Sequence, residues 1–304
     1  MSRNWLFLRG AWDDRTQKSI DDDDDMWLQL FRELAGDDNY YIWFKDNNKS
    51  LKSHGDRIYS CTQQELTRNK HLLKPDVIFA RGGFDYYLPI LNAFPKAKKI
   101  RYGAGCRYMP EKSVKYDLCI VDTEEQRSDI LSVFESQFVL QWVKPAASHF
   151  RYMPEVKKEY DVCYIANGQQ QHIKGVKWVY TTAPKDLKIL HLGYPSSYNV
   201  PENVTQIRVD RKDMPLWINK CKVGIVPYWN SPDSEPRVIG EMANCQIKIA
   251  VGDTVKCNEN RIHYAFNKNE IWEAVRGYEQ SIPFSMKWYI SDAVEEIRDY
   301  LWTR

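Results

Sequence analysis

The chain repeats one pattern from end to end: a short, unbroken apolar run, a polar loop, then a stretch with helical period. Runs such as DVIFAR (Asp76–Arg81), DLCIV (Asp117–Val121) and VGIVP (Val223–Pro227) do not alternate in polarity. Strands of that kind are buried on both faces, so they belong to parallel sheets covered by helices. The expected strands in the first half are Trp5–Arg9, Tyr40–Phe44, Arg57–Cys61, Asp76–Arg81, Lys98–Tyr102, Leu118–Asp122 and Phe138–Val143. Helical spacing marks Met26–Ala35, Thr62–Leu72, Tyr86–Ala93 and Glu124–Phe134. This alternation predicts a doubly wound α/β domain.

The period fails between Lys144 and Lys158, a stretch with two prolines and mixed charge, which reads as a linker. A second α/β series follows, with strands at Tyr160–Ala166, Lys188–Leu192, Thr205–Val209, Val223–Pro227 and Ile247–Val251. Its helices are expected near Val176–Thr182, Met214–Lys220, Val238–Asn244 and Asn269–Val275. The expected domains are therefore 1–150 and 151–284, with a terminal amphipathic helix within 285–304. Two Rossmann-like domains facing across a cleft would bind a ligand at the loops that follow the strands.

A net charge of +2 argues against a general polyanion binder. The seven cysteines form no CxxC pair, and several sit in apolar runs, so buried reduced thiols are expected. No window approaches the ~18 apolar residues of a membrane span. The opening MSRNWLFLRG is too short an apolar run for a signal peptide. A cytoplasmic protein is expected, with peripheral membrane contact left open. The Asp21–Asp25 run precedes a helix and reads as a cap, not as a metal cluster.

Two segments carry chemistry. In residues 223–251 a buried strand is followed by a polar loop, then a helix opening near Pro236 or Arg237, with Glu241 about one turn further in. Proline suits a first helical turn, the free amides of such a turn bind phosphate, and a carboxylate can accept both hydroxyls of a ribose. In residues 161–180 a strand runs into a loop holding Gly168, Gln169, Lys174 and Gly175 before a helix, which suits a diphosphate. No P-loop and no dinucleotide fingerprint occurs.

The first of these segments resembles the donor signature of the family 4 retaining glycosyltransferases, which have the GT-B fold. Val226-Pro227 matches the strand end, and Glu241-Met242-Ala243-Asn244-Cys245 matches the Glu-Ala-Met-Ala-Cys-Gly stretch. The resemblance implies that Glu241 binds the nucleotide ribose and that the amides near Val238 and Ile239, with Arg237, face the diphosphate. The family's first acidic position falls on Asp233, where glutamate is usual, and Glu235 is the nearby alternative. Gly168, Lys174 and Gly175 match the family's diphosphate loop, while its arginine is replaced by Gln169. The first glycine-rich loop is reduced to Gly10, and the family's sugar-contacting histidine is absent from Arg101–Tyr108.

The resemblance implies that the terminal helix within 285–304 packs back on the first domain, and that the chain is a metal-independent hexosyl- or pentosyltransferase. It would move a sugar from a nucleotide-diphosphate donor, such as a UDP- or GDP-sugar, to a hydroxyl with retention. Lys174 and either Asp233 or Glu235 would be catalytic, and no further cofactor is implied. Lys96, Lys98, Lys99, Arg101, Arg107, Lys112 and Lys115, together with Arg81, suggest an anionic acceptor: a glycan, a phospholipid-linked group or a nucleic acid. The alternatives are a non-catalytic nucleotide-sugar or glycan-binding module, a nucleotide-sugar epimerase and a nucleic-acid-modifying glycosyltransferase.

Overall fold

The computed structural model describes residues 2–12, 20, 25–47, 50–55, 57–82, 85–103, 114–133, 138–141, 145–166, 172–228, 236–253, 255, 265–284 and 289–302. Contacts divide the chain into Met1–Trp142 with Ile290–Arg304, and Val143–Tyr289.

In the first unit the strands are β1 (Asn4–Ala11), β2 (Asn39–Lys45), β3 (Lys52–Ser53), β4 (Ile58–Cys61), β5 (Val77–Arg81), β6 (Lys98–Tyr102), β7 (Leu118–Val121) and β8 (Phe138–Gln141). They form one sheet in the order β3-β4-β2-β1-β5-β6-β7-β8. Every pairing is parallel except β3 with β4. The chain winds outward from β1, then returns to place β5 on the other side of β1. The winding direction therefore reverses between β1 and β5.

Helix α1 (Met26–Ala35) lays Trp27, Leu30, Phe31 and Leu34 on the sheet. Phe31 stacks on Phe7 at 4.3 Å and meets Phe79 at 5.3 Å. Asp25 caps the helix by accepting the amides of Trp27 (2.8 Å) and Leu28 (3.3 Å). The helical stretch expected at 62–72 is two short helices, α2 (Gln63–Arg68) and α3 (Lys70–Leu73). At the break, the Asn69 side-chain amide donates back to the Glu65 carbonyl at 2.9 Å, a local bond that competes with helix continuation. Helix α4 (Leu88–Ala93) has proline in its first turn, and α5 (Glu124–Val133) follows β7.

The second unit holds β9 (Tyr160–Ile165), β10 (Ile189–Leu192), β11 (Val204–Ile207), β12 (Cys221–Val226), β13 (Lys248–Gly252) and β14 (Ala265–Phe266). Their order is β11-β10-β9-β12-β13-β14, parallel throughout. This is the doubly wound arrangement with its reversal between β9 and β12. Its helices are α6 (Val176–Thr182), α7 (Met214–Asn219), α8 (Arg237–Asn244), α9 (Ile271–Arg276) and the short α10 (Tyr278–Ser281). Helix α8 approaches β12 closely because Gly224 has no side chain. A Cβ there would lie 2.3 Å from the Met242 sulfur.

The division between units falls eight residues before the expected boundary at 150. The reason is packing: Phe150 is buried under the Arg211 guanidinium, and the Met153 amide donates to Asn219 at 3.0 Å. The terminal helix, Ile290–Trp302, belongs to the first unit. Its Arg298 donates to the carbonyls of Glu33 (2.9 Å) and Leu34 (3.0 Å), the unsatisfied end of α1. Lys98 donates to the Leu301 carbonyl at 2.7 Å. The described cysteines Cys61, Cys119, Cys163, Cys221 and Cys245 are buried and free. Among the described residues no helix is long and apolar enough to cross a membrane.

The ends of β9 and β10 leave no space for a side chain at Gly193, where a Cβ would fall 1.7 Å from the Ala166 carbonyl oxygen. Backbone cannot give way as a side-chain tip can, so Gly193→Ala should destabilise the protein by about 1–3 kcal/mol. Urea denaturation of the variant against the parent measures this.

Candidate functional site

The polar groups of the second unit gather where its parallel strands end. Lys174 follows β9, Arg211 follows β11, Tyr228 follows β12, and Glu241 lies in α8. These are the positions where an open α/β sheet presents loops to a ligand.

Glu241 is 1% exposed, an unusual place for a carboxylate. One oxygen, Oε1, is held by the Nη2 of Arg211, and the Nε of Arg237 stands 3.9 Å from it. The other oxygen, Oε2, is buried and has no hydrogen-bond partner. Such an acceptor costs about 1–3 kcal/mol while it is left unmade. The carboxylate is therefore anchored through one oxygen, while the other, though buried, is left without a donor. Two hydroxyls of a ribose are donors of that kind.

Arg211 was not singled out in the sequence. It opens a single 3-10 turn, Arg211–Asp213, thirty positions before Glu241. Its guanidinium lies 5.1 Å from the Phe150 ring centre. The signal available was Glu241 itself: a carboxylate buried in an apolar helix needs a cation, and Arg237 at 42% exposure reaches it only from the rim.

Helix α8 begins at Arg237 after Pro236, and no side chain caps it. The Ile239 amide donates to the Pro236 carbonyl at 3.0 Å, so that amide is engaged within the turn. The Ile239 side chain is buried, and Val238 is half-buried.

Lys174 precedes Gly175, whose φ of 78° is the left-handed conformation that glycine adopts without strain. The Lys174 ammonium lies 3.9 Å over the ring of Tyr228, a cation–π contact. Tyr228 is fixed in turn, its hydroxyl donating to the Ile165 carbonyl at 2.6 Å. The Lys174 carbonyl accepts the hydroxyl of Tyr164 at 2.8 Å. Lysine and tyrosine thus bridge β9 and β12 at the reversal of winding. Gly168, Gln169, Asp233 and Glu235 lie outside the described residues.

In the first unit Gly10 has a φ of 121° and follows Arg9 at the end of β1. The expected basic face of the acceptor region divides. Lys98 and Lys99 open β6, at the edge opposite its ligand-facing end, and their ammonium groups are spent on backbone carbonyls. Arg101 is buried at 1% exposure. Arg107 and Lys112 are outside the described residues, and Arg81 stands at the carboxyl end of β5. Among the described residues no group of three His, Cys, Asp or Glu side chains is placed to hold a metal ion.

Beneath the site His191 is fully buried, with Nδ1 at 2.7 Å from the Tyr180 hydroxyl and Nε2 at 3.2 Å from the Ala166 carbonyl. Burial lowers its pKa from the usual 6.5 to about 4. Between those values the unfolded chain binds a proton that the folded chain refuses. Stability is therefore complete above pH 6.5 and is lost as pH falls towards 4, by up to about 3 kcal/mol. Urea midpoints taken from pH 7 to pH 4.5 should fall in the parent and fall less in His191→Gln.

No protein-family model and no curated protein sequence matches the chain. Solved structures match it over almost its full length. AviGT4, a glycosyltransferase involved in avilamycin A biosynthesis, is similar with a TM-score of 0.58 at 12% identity, covering 98% of this chain and 97% of its own. The E. coli trehalose-6-phosphate structure bound with UDP-2-fluoro glucose gives 0.57 at 10% identity, covering 98% and 94%. A Listeria monocytogenes protein described as a UDP-N-acetylglucosamine 2-epimerase gives 0.57 at 11% identity, covering 100% and 98%. Two Rossmann-like units and these likenesses define the fold as GT-B.

Proposed function

We propose that the protein is a GT-B glycosyltransferase that takes its sugar from a nucleotide-diphosphate donor, with retention at the anomeric carbon and without a bound metal. The observation that carries this reading is the buried Glu241 carboxylate, anchored by Arg211 through one oxygen and unpartnered at the other. A ribose diol donating to that carboxylate would restore the missing bonds. Charge-assisted hydrogen bonds of this kind contribute about 1.5–3 kcal/mol. The uncapped start of α8, with Arg237 and the Val238 amide, would face the diphosphate. Lys174, lifted from Tyr228, would neutralise the charge that grows on the departing diphosphate. Asp233 or Glu235 would orient the sugar. The donor is a UDP- or GDP-sugar, the acceptor an alcohol, and the place of action the cytoplasm.

A second reading is nucleotide-sugar epimerisation, because a protein described as an epimerase matches the chain as well as the transferases do. The two differ in their products. Incubated with a UDP-sugar and no acceptor, a transferase slowly releases UDP and free sugar, whereas an epimerase returns a second UDP-sugar.

Two substitutions test the site. Glu241→Gln keeps the shape and removes the charge, so it should weaken nucleotide-diphosphate binding roughly tenfold to a hundredfold in calorimetry. Unchanged affinity in a folded variant would sink the assignment. Lys174→Ala should lower turnover while leaving the stability within about 1 kcal/mol of the parent, the scale of a cation–π contact such as the one to Tyr228. A variant that simply unfolds would make the lysine structural.

A further inference from the structure

The first unit carries an Arg-Gly pair at the end of each of two neighbouring strands, Arg9-Gly10 on β1 and Arg81-Gly82 on β5. The strands are parallel and in register up to Leu8 opposite Ala80, so the two arginines follow at adjacent positions on one face of the sheet. That face is the one α1 covers: Arg9 reaches Asp25 at 2.7 Å, and Arg81 lies 4.9 Å over the Trp27 ring. Gly10 and Gly82 both turn with positive φ, 121° and 90°. The pair stands where the winding of the sheet reverses, the crevice in which open α/β sheets bind ligands.

Two like charges on adjacent strands repel each other. Here they are also dehydrated: Arg9 is 14% exposed and Asp25 5%. Burial, and next the neighbouring charge of Arg9, pull the Arg81 pKa from 12.5 down to about 9. The Nε atoms of both arginines are buried with no hydrogen-bond partner. Asp25 engages Arg9 through one oxygen and uses the other on the Trp27 and Leu28 amides. Among the described residues the cluster sets two guanidinium groups against one carboxylate, with both Nε donors unmade. A single carboxylate would fill one guanidinium fork; a tetrahedral phosphate has oxygens for two.

We infer that Arg9 and Arg81 form a binding site for a phosphate group, carried by the molecule that the first unit recognises. That this molecule is the sugar acceptor rests on the transfer reading. The anion site does not, because it uses none of the residues assigned to the donor.

The test is calorimetry and thermal melting with inorganic phosphate, sodium acetate, glycerol 3-phosphate and glycerol, against chloride at matched ionic strength. Inorganic phosphate and glycerol 3-phosphate should bind and raise the melting midpoint above the chloride control, while acetate and glycerol should not. In Arg81→Gln and Arg9→Gln the dissociation constant for glycerol 3-phosphate should rise at least tenfold. Arg81→Lys, which keeps the charge without the fork, should also weaken it. Circular dichroism checks folding; if Arg81→Gln does not fold, Arg9→Gln and Arg81→Lys carry the test. A response equal to that of chloride, or unchanged affinity in the folded variants, overturns the site. Binding of inorganic phosphate but not of glycerol 3-phosphate overturns its role in holding a phosphorylated molecule. Nucleotide-diphosphate binding through Glu241 is read separately, so either reading can fail alone.

Discussion

The second unit is organised around a buried charge. Placing the Glu241 carboxylate at 1% exposure costs several kcal/mol unless a cation meets it, and Arg211 supplies that cation from the far side of the sheet. The pairing requires the turn after β11, three strands from β12 in the sheet, to carry Arg211 across to α8. It also requires α8 to sit low on β12, which the bare backbone of Gly224 allows. An ion pair replaced by apolar groups is often no less stable, so stability alone does not account for its presence. The unpartnered Oε2 points to ligand binding as the reason for it.

The same logic recurs in the first unit with the sign reversed. There Arg9 pairs with Asp25 and Arg81 lies over Trp27 at the reversal of the sheet, and two Nε donors go unmade. Each unit thus leaves buried polar groups without partners near the carboxyl ends of its strands: Glu241 Oε2 and Arg211 Nε in one, the Arg9 and Arg81 Nε groups in the other. Other buried polar groups are tied within the protein: Tyr102 donates to Asp122 at 2.7 Å, and His191 is held between Tyr180 and Ala166.

Much of the architecture was legible because parallel strands buried on both faces must be unbroken apolar runs. β6 and α1 fall on the expected bounds, Lys98–Tyr102 and Met26–Ala35. The two-residue strands β3 and β14 were invisible, since two residues carry no period. The break at Asn69 depends on a side chain folding back on Glu65, which periodicity does not register. In the site, Glu241 and Lys174 could be read from local patterns, but Arg211 is a long-range partner with no motif of its own. Part of the basic run near residue 100 is set aside for a related reason. Charge counted along a strand ignores which end of the strand each lysine occupies, and Lys98 and Lys99 occupy the wrong one.

The central claim is that Glu241 waits for a ribose diol. Calorimetric comparison of a ribonucleoside diphosphate with its 2′,3′-dideoxy analogue tests it on the unmodified protein. The account predicts that the dideoxy compound binds at least about tenfold more weakly, because one unmade charge-assisted bond already costs ~1.5 kcal/mol. Equal affinities would contradict it and return Glu241 and Arg211 to the status of a structural ion pair.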